Sequence, residues 1–523
     1  MQDKMKYSLL DDSLIEVRFK GQEKEYTNLP HIFSELMENN IISFEALQPH
    51  QQQPWYSFLV QLAAMAVSRE NNGDIPSSIE KWRQMLIGLA DGSKAAWHLV
   101  VEDVSKPAFM QTPIPEGSLE EAGYKSDIET PDELDMLVTS KNHDIKGNRI
   151  LNPEPQHWLY ALLTLQTMEG YSGKFNYGIA RMNGGGGNRP LIGFSEKLSW
   201  GGRFRRDLEI LLSNRNKLAD DFDFSGYSLL WLLEWDGTKK DSLQLSVCDP
   251  FFLEICRRIR FRKTEKGVKC FKKSTKSKRI EVPDELNGIT NDPWTPIDKG
   301  EAKILTITES GFTYKLLQEL LIGEKYQKPF AMKFQADERD RVFMINQALV
   351  RGGGIKTETN GLHKRIIPIP PKVHKLLMND IKKDKFAERA NNRVALALEV
   401  QKQILYPSVR ELIREGLKKE VTRKQTIKEN KQINPWLKRF DQEIDRRFFE
   451  SLWASVEMDQ EEATRQWEEI LLEEAKKQFK QAERSTPIAQ LRRLRAVSKA
   501  RSIFYGQVHK ILEFAGKETT SAN

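Results

Sequence analysis

The sequence predicts an α+β protein, with a mixed, loop-rich α/β domain over residues 1–371 and an all-α, four-helix bundle over residues 372–523. Short alternating strands and glycine-rich turns occupy the first part, together with a few strongly apolar helices. After Lys372 glycine becomes rare and helix-forming residues dominate. Because 523 residues exceed what one hydrophobic core normally supports, we expect at least two domains.

Hydrophobic periodicity places the elements of the first domain. Alternating apolar and polar residues predict short strands within residues 8–29. Residues 109–150 are polar and contain several prolines, so we expect a loop there. Apolar residues at helical spacing predict helices at 29–36, 54–67, 79–89, 157–168 and 313–321. Short apolar runs predict strands at 229–233, 243–247, 255–262, 331–334 and 342–345.

The helices predicted after Lys372 carry apolar stripes that indicate a bundle. They span residues 373–405, 407–431, 435–456, 460–481 and 486–514. One stripe consists of Trp436, Phe440, Ile444, Phe448 and Leu452, and another of Leu491, Leu494, Val497, Ile503 and Val508. Because each helix can bury one face against the others, we expect a four-helix bundle, with one of the first two helices forming a connection. Trp436 and Trp467 are expected in its core.

Charge and cysteine content narrow the class of protein. The net charge is +7, and residues 257–279 contain 12 Lys or Arg residues against a single acid, Glu265. Such a run forms either a solvated basic face or a surface for a polyanion. No apolar run reaches the roughly 20 residues of a membrane span, and the N-terminus lacks the apolar core of a signal peptide. The three cysteines form no close pair, which favours a reducing, cytoplasmic setting.

The densest glycine cluster lies in residues 168–200, where Arg, Lys and Asn alternate with Tyr and Phe. These residue types contact phosphates, base edges and base faces, and glycines let another molecule approach the backbone closely. Arg181 and Arg189 lie in this stretch and are candidate phosphate contacts. The alternative is a pair of glycine-bearing β-turns that join short strands. A nucleotide-binding loop is disfavoured, because no Gly-Lys-Ser/Thr follows and no dinucleotide fingerprint opens a helix.

Catalytic motifs give little support for an enzyme. His143, Asn152 and His157 suggest an HNH-type nuclease, but their spacing is too tight and His157 begins an apolar helix. The acidic residues at 220–223 lack EF-hand spacing, so a surface turn is the simpler interpretation. Neither a nucleophile elbow nor a His-Glu-x-x-His helix is present. We therefore predict a binding protein, with a stand-alone metal-dependent nuclease and a general RNA-binding scaffold protein as alternatives.

Several motifs, taken in order, resemble a known family. They are Phe109-Met110-Gln111, Gly170-Tyr171-Ser172-Gly173, Cys248-Asp249-Pro250, Asp292-Pro293-Trp294-Thr295-Pro296, a Gly-Gly/Lys-Thr-Glu hairpin at 352–358, and the segment from Ser485 to Tyr505. Over nearly the whole chain this order resembles the large subunit of the type I-E CRISPR Cascade complex, the CasA family.

The resemblance implies a non-catalytic subunit of an RNA-guided antiviral complex. Such a subunit recognises the protospacer-adjacent motif in double-stranded DNA, starts duplex unwinding and R-loop formation, and helps to recruit a helicase-nuclease. Its implied partners are the guide CRISPR RNA, the target DNA and the backbone, small and 5′-end-capping subunits. Some members carry a Cys-x-x-Cys-like cluster after Cys-Asp-Pro, and because this chain lacks it we expect no zinc and no other cofactor.

The resemblance also implies roles for individual residues. The glycine loop that meets the DNA motif corresponds to Gly170, Tyr171, Ser172 and Gly173, and the motif-reading lysine to Lys278, with Lys276 as the alternative. The wedge hairpin corresponds to Lys356, Thr357, Thr359 and Asn360, where Thr359 or Asn360 takes the place of a Gln found in some members. The loop against the guide's 5′ end and the neighbouring subunit corresponds to Ser140–Gly147, with Lys141, Asn142, His143 and Lys146. Candidate contacts to the displaced strand are Arg181, Arg189, Arg492 and Arg493.

Overall fold

The structure, a computed structural model of the 523-residue chain, describes residues 5–136, 150–171, 173–182, 187–265, 267–335, 338, 340–350, 361–417 and 422–514. The chain forms two compact units. The first contains Met1–Phe312 and Glu324–Pro368, and the second contains Thr313–Gly323 and Ile369–Asn523. Sheets and helices together form the first unit and helices form the second, so the predicted α+β class is confirmed.

The first unit begins with short strands and three helices. In chain order they are β1 (Met5–Ser8), β2 (Ile15–Phe19), β3 (Lys24–Thr27), α1 (Leu29–Met37), β4 (Ile41–Phe44), α2 (Gln52–Glu70), α3 (Ile79–Leu89) and β5 (His98–Val101). Side chains cap two of the helices where the sequence predicts that they begin. The Asn28 side chain accepts a hydrogen bond from the His31 amide at the start of α1, and the Ser78 side chain does the same for Lys81 at α3.

The rest of the first unit consists mainly of small sheets. Its elements are β6 (Lys125–Ile128), α4 (Pro131–Leu134), α5 (Pro155–Met168), β7 (Leu191–Ser195), α6 (Trp200–Asn214), β8 (Tyr227–Leu229), β9 (Leu243–Gln244), β10 (Cys248–Leu253), β11 (Arg258–Thr264), β12 (Gly267–Lys273), β13 (Ile280–Glu281), β14 (Ile297–Asp298), β15 (Lys303–Ile304), β16 (Tyr326–Gln327), β17 (Val342–Val350) and β18 (Gly361–Ile369). Two three-stranded sheets, ordered β11–β12–β6 and β18–β17–β7, flank the glycine stretch.

Helix α2 forms the centre of the first unit's core. It packs against α3, α5, α6 and β10, and every residue from Gln53 to Val67 is buried. A helix that is apolar on all sides is stable only when it is surrounded by protein, so the predicted buried helix at 54–67 is confirmed. Its two inward-facing glutamines bind backbone: Gln53 donates to the Arg189 carbonyl (2.7 Å), and Gln61 donates to the Phe251 carbonyl (3.0 Å).

Three of the predicted strands are wholly or partly short turns of 3₁₀-helix. Such turns occupy Phe330–Met332, Leu230–Leu232 and Leu245–Val247. The strand predictions at 331–334 and, except for Leu229, at 229–233 are therefore wrong, and the one at 243–247 is too long. Apolar runs of this length are compatible with any buried backbone, because burial alone does not select a dihedral angle. The strand predicted at 342–345 is confirmed within β17.

The second unit contains α7 (Tyr314–Leu321), α8 (Pro371–Leu377), α9 (Asp380–Glu399), a π-helical segment (Val400–Leu405), α10 (Tyr406–Ile413), α11 (Arg423–Ala454), α12 (Gln460–Ser485) and α13 (Gln490–Ile511). The predicted helix boundary before Pro435 is wrong, because α11 continues through this proline. Proline removes one backbone hydrogen bond, but buried Ile433 and Phe440 on either side keep the helix packed on the core.

The buried face of α13 differs from the predicted stripe. Leu491 and Leu494 are exposed, whereas Ala496, Ala500, Phe504 and Val508 are buried. The buried residues recur at intervals of four, and the Phe504 ring stacks on Phe479 with centroids 4.6 Å apart. The first turn of α13 therefore presents leucines to solvent, and the small alanines let the helix approach its neighbours.

This assignment predicts different stabilities for two truncations in α13. Phe504→Ala should lower the free energy of unfolding by about 3–5 kcal/mol, because it empties a packed aromatic site. Leu491→Ala should change it by less than about 0.5 kcal/mol, because the side chain is already in solvent. Urea unfolding followed by far-ultraviolet circular dichroism measures both values. A similar loss in the two variants would contradict the assignment of the buried face.

Candidate nucleic-acid interface

Arg257 closes the base of the glycine loop, residues 170–177, which follows α5. Its guanidinium group donates to the carbonyl oxygen of Gly170 (Nη2–O 3.3 Å) and to that of Tyr177. The same group lies 3.9 Å from the carboxylate of Glu169. Because one planar cation binds both ends of the loop, the separation of those ends is fixed by a side chain from outside the loop.

The glycines of this region have different roles. A Cβ on Gly178 would lie 2.6 Å from the Cα of Gly170, and a Cβ on Gly170 would lie 3.2 Å from the carbonyl oxygen of Gly187. These glycines allow backbone segments to pack closely. Gly173 has a φ of +119°, and a Cβ there would meet no atom of the described residues within 4 Å. Within the predicted motif, Gly173 therefore borders open space while Gly170 serves internal packing; Ser172 lies outside the described residues.

The segment that carries Lys278 is hydrogen-bonded to the glycine loop. The Thr275 amide donates to the carbonyl oxygen of Phe175 (3.1 Å), and the next amide, of Lys276, donates to the carbonyl oxygen of Gly237 (2.6 Å). The Lys278 side chain is half-buried and that of Lys276 is exposed. Two of the predicted DNA-contacting elements, which are far apart in sequence, are thus neighbours in space.

The prediction that Arg181 and Arg189 contact phosphates is corrected by their burial. Both side chains are 2% exposed. The Asp292 carboxylate lies 3.3 Å from Nε of Arg181 and 2.7 Å from Nε of Arg189. Buried guanidinium groups need carboxylates or carbonyls as partners. These two arginines therefore stabilise the interior beneath the glycine loop and are inaccessible to a nucleic-acid strand.

Glu254 belongs to the same buried network and touches the end of the glycine stretch. Its Oε1 accepts a hydrogen bond from the Ala180 amide (2.7 Å), and its Oε2 lies 3.9 Å from Arg181. Burial raises the pKa of Glu254 to about 7 and lowers the pKa of Arg181 to about 10. The free energy of desolvating both charges exceeds their mutual attraction at this distance.

The basic run at 257–279 is partly internal, whereas a solvated basic face or a surface for a polyanion was expected. Arg260 and Arg279 are buried, and burial lowers the pKa of each to about 10. Arg260 donates to the carbonyl oxygens of Lys106 (2.9 Å) and Val101 (3.1 Å), so it braces neighbouring loops. Among the described residues of the run, the exposed cations are Arg262, Lys263, Lys272 and Lys276.

Two predicted elements fall outside the described residues: the wedge residues Lys356, Thr357, Thr359 and Asn360, and the guide-loop residues Lys141, Asn142, His143 and Lys146. The base of the hairpin is described. Strand β17 pairs antiparallel with β7, with Gln347 opposite Leu191. Val350 at the end of β17 therefore extends beyond the start of β7, and the chain enters β7 from Gly187, which packs against Gly170. The hairpin base and the glycine loop are consequently at the same end of this sheet.

Arg492 and Arg493 lie on the exposed first turn of α13 in the second unit. Arg492 donates to the Glu415 carboxylate (2.6 Å), and Arg493 donates to the Glu483 carbonyl oxygen (2.9 Å). Both remain at the surface, where an exposed ion pair contributes little and exchanges readily for a stronger anion.

Of the residues considered for a metal-dependent nuclease, His157 and Asp223 have structural partners, and His143 lies outside the described residues. Nδ1 of His157 accepts a hydrogen bond from the Glu154 amide (3.0 Å) and so caps α5. The Asp223 carboxylate accepts from the Ser225 amide (2.9 Å) within a turn. Within the described ranges, no group of three or more His, Cys, Asp or Glu side chains is arranged to hold a metal ion. No helix in this part of the chain has the length and apolar character needed to cross a bilayer.

An α+β unit followed by a helical unit is an architecture shared with solved structures of one class, the CRISPR-associated proteins. Similar structures include CasA (Cse1) of Thermus thermophilus (14% identity, 96% of this chain and 100% of that chain, TM-score 0.61) and Cse1 of Thermobifida fusca (11% identity, 97% and 98%, TM-score 0.58). A chain from a CRISPR RNA-guided surveillance complex is also similar (12% identity, 95% and 99%, TM-score 0.54). No family model and no curated protein matches the sequence. The chain has the CasA (Cse1) fold, as the order of its motifs predicted.

The buried network predicts a pH-dependent contribution of Glu254 to stability. Its pKa in the folded chain, about 7, lies above its ordinary value of 4.5. The folded state therefore binds more protons between these values, and stability from this group declines as pH rises from about 4.5 to about 7. The difference in unfolding free energy between wild type and Glu254→Gln should fall over this range and level off above it. Urea unfolding at a series of pH values measures it, with the exposed Glu23→Gln as a charge control; a difference that grows with pH would contradict the assignment.

Proposed function

We propose that this chain is the non-catalytic large subunit of a CRISPR RNA-guided surveillance complex that recognises a short motif in double-stranded DNA. The CasA fold and the similarity to a chain of such a complex support this proposal. The observation that carries it is that the glycine loop is hydrogen-bonded to the Lys278 segment and packs against Gly187, on the connection that leads into β7 beside the base of the hairpin.

Side-chain-free backbone suits the minor groove of DNA. This groove is about 6 Å wide, and its base pairs differ chiefly by the guanine amino group. Gly173 offers backbone at the edge of open space, so a groove edge can approach its peptide groups directly. Lys278 lies on the segment bonded to the loop and supplies a cation for a phosphate or a base-edge acceptor.

Unwinding starts next to the recognised motif. The hairpin at 356–361 is the proposed wedge, with Thr359 or Asn360 at its tip. Separating the first base step costs a few kcal/mol, which phosphate contacts and pairing of the guide RNA with the target strand offset. A hairpin whose base lies at the same end of a sheet as the motif-reading loop acts on the adjacent base step.

The remaining contacts are proposed for the guide and the other subunits. The Ser140–Gly147 loop contacts the guide's 5′ end and a neighbouring subunit. The second unit contacts the small subunits and the displaced strand, for which Arg492 and Arg493 offer exposed cations. The assembled complex then recruits the helicase-nuclease that degrades the target in antiviral defence. The chain itself performs no cleavage.

Substitution of Gly173 tests the groove contact. Gly173→Leu should weaken motif-dependent duplex binding by the assembled complex about tenfold or more, because the side chain occupies the space of the groove wall. Gly267→Leu is the matched control: its φ is +118° and a Cβ there also meets nothing within 4 Å, so its backbone strain is the same.

Both glycine variants should assemble with guide RNA and the other subunits. Duplexes with and without the motif, compared by electrophoretic mobility shift, report the effect. If Gly173→Leu bound the motif as well as the control variant did, the loop would not read DNA.

Incubation of the wild-type complex with Mg²⁺ or Mn²⁺ tests the nuclease alternative, since a recognition subunit leaves the duplex intact. Binding that ignores the motif would favour an RNA-binding scaffold.

Lys278→Ala tests the cation contact. It should weaken duplex binding and reduce the slope of log K against log salt concentration by about one, because one phosphate loses its partner. Lys276→Ala, two residues away on the same segment, tests the alternative lysine. A slope that changes only in Lys276→Ala would transfer the contact to that residue.

A further inference from the structure

The glycine loop carries two partly exposed aromatic rings, Tyr171 (44% exposed) and Phe175 (42% exposed). The Tyr171 ring packs edge-on against Tyr177, with centroids 5.7 Å apart. The Phe175 ring has a cation beside it instead: the ammonium group of Lys174 lies 5.1 Å from the ring centroid. An exposed phenyl ring beside a cation is an apolar surface with a charge at its edge.

The backbone of Phe175 is held in an unfavourable conformation. Its φ is +73°, in the left-handed region that bulky side chains rarely occupy. Two hydrogen bonds keep it there: the Thr275 amide donates to the Phe175 carbonyl (3.1 Å), and the Asn176 amide donates to the Gly173 carbonyl (3.0 Å). Such conformations persist where the surroundings over-determine them, and they concentrate at binding sites.

The charges around the ring match a nucleic acid. Lys174 is exposed beside Phe175, and Lys276 is exposed one residue after the amide that anchors it. A nucleobase offers a flat π-face and carries its phosphate a short distance away, so one ring with adjacent lysines fits a single nucleotide. A ring can stack only on a base face that no neighbouring base covers. The matching ligand is therefore a base at an opened step and not a base inside an intact duplex.

We propose that Phe175 is a stacking platform for the first nucleobase released beside the recognised motif, with Lys174 binding the adjoining phosphate. This inference rests on the proposed function and adds to it a contact with the opened strand. Phe175 then holds the duplex open after the wedge has separated it, because a stacked base is withheld from re-pairing. The anchoring hydrogen bond from Thr275 aligns the platform with the Lys278 segment.

The test uses the assembled complex and a motif-containing duplex with 2-aminopurine at the first pair beside the motif. Phe175→Asn removes the ring, and asparagine tolerates the positive φ, so the loop should keep its conformation and its melting temperature. Duplex binding should weaken roughly 5- to 100-fold, and the rise in 2-aminopurine fluorescence expected when wild type holds the base outside the duplex stack should be lost. Phe175→Tyr keeps a ring and should retain both signals. Phe175→Gly, which also suits the positive φ, replaces the Asn variant should that variant lower the melting temperature.

A duplex mismatched at the first pair separates stacking from strand opening. A stacking platform remains necessary on this pre-opened substrate, so the binding defect of Phe175→Asn should persist. A defect that disappears there, or a variant that binds and fluoresces like wild type, overturns the platform and leaves the proposed function intact. If wild type itself binds without regard to the motif, the proposed function fails, and the platform fails with it.

Discussion

The hydrogen bonds from Arg257 to the carbonyl oxygens of Gly170 and Tyr177 determine the geometry on which the candidate interface depends. A guanidinium group suits this task, because its donors diverge in one plane and reach two acceptors at once. Arg257 directly precedes β11, and the β11–β12 hairpin leads into the segment that bonds to Phe175 and carries Lys278. One stretch of chain therefore positions the glycine loop from both sides.

The basic residues of this chain form two sets, one buried and one exposed, and the two sets have different roles. Arginines such as Arg181, Arg189 and Arg260 lie inside, where they bind carboxylates and backbone carbonyls. Several hydrogen bonds made at once offset the cost of removing a guanidinium group from water. The exposed cations on and beside the glycine loop include Lys174 and Lys276. The flexible stem of a lysine lets its charge meet an anion without a fixed angle. The total charge of the chain is consequently a poor guide to the interface, because some of the charged side chains are buried.

Helices were more predictable than strands for a physical reason. A helix repeats its pattern over many residues, so α2 and α3 could be located from apolar spacing alone. Runs of four or five apolar residues, such as 331–334, fit a buried turn as well as a strand. The predicted apolar stripe on α13 was wrong for a different reason. Leu491 and Leu494 have helical spacing, but the buried face of the helix depends on where α12 and the neighbouring helices end.

The sequence by itself determined the α+β class and most of the helices, since these follow from composition and period. The order of its motifs indicated the CasA resemblance, and the roles that this resemblance implies for the glycine loop and Lys278 stay predictions. Tertiary structure alone decided that Arg181 and Arg189 are internal, that Gly170 serves packing while Gly173 faces open space, and that Arg257 closes the loop. The physical reason is that these outcomes depend on contacts between residues dozens of positions apart. Local sequence specifies what a side chain can bind, and only the fold specifies which partner reaches it.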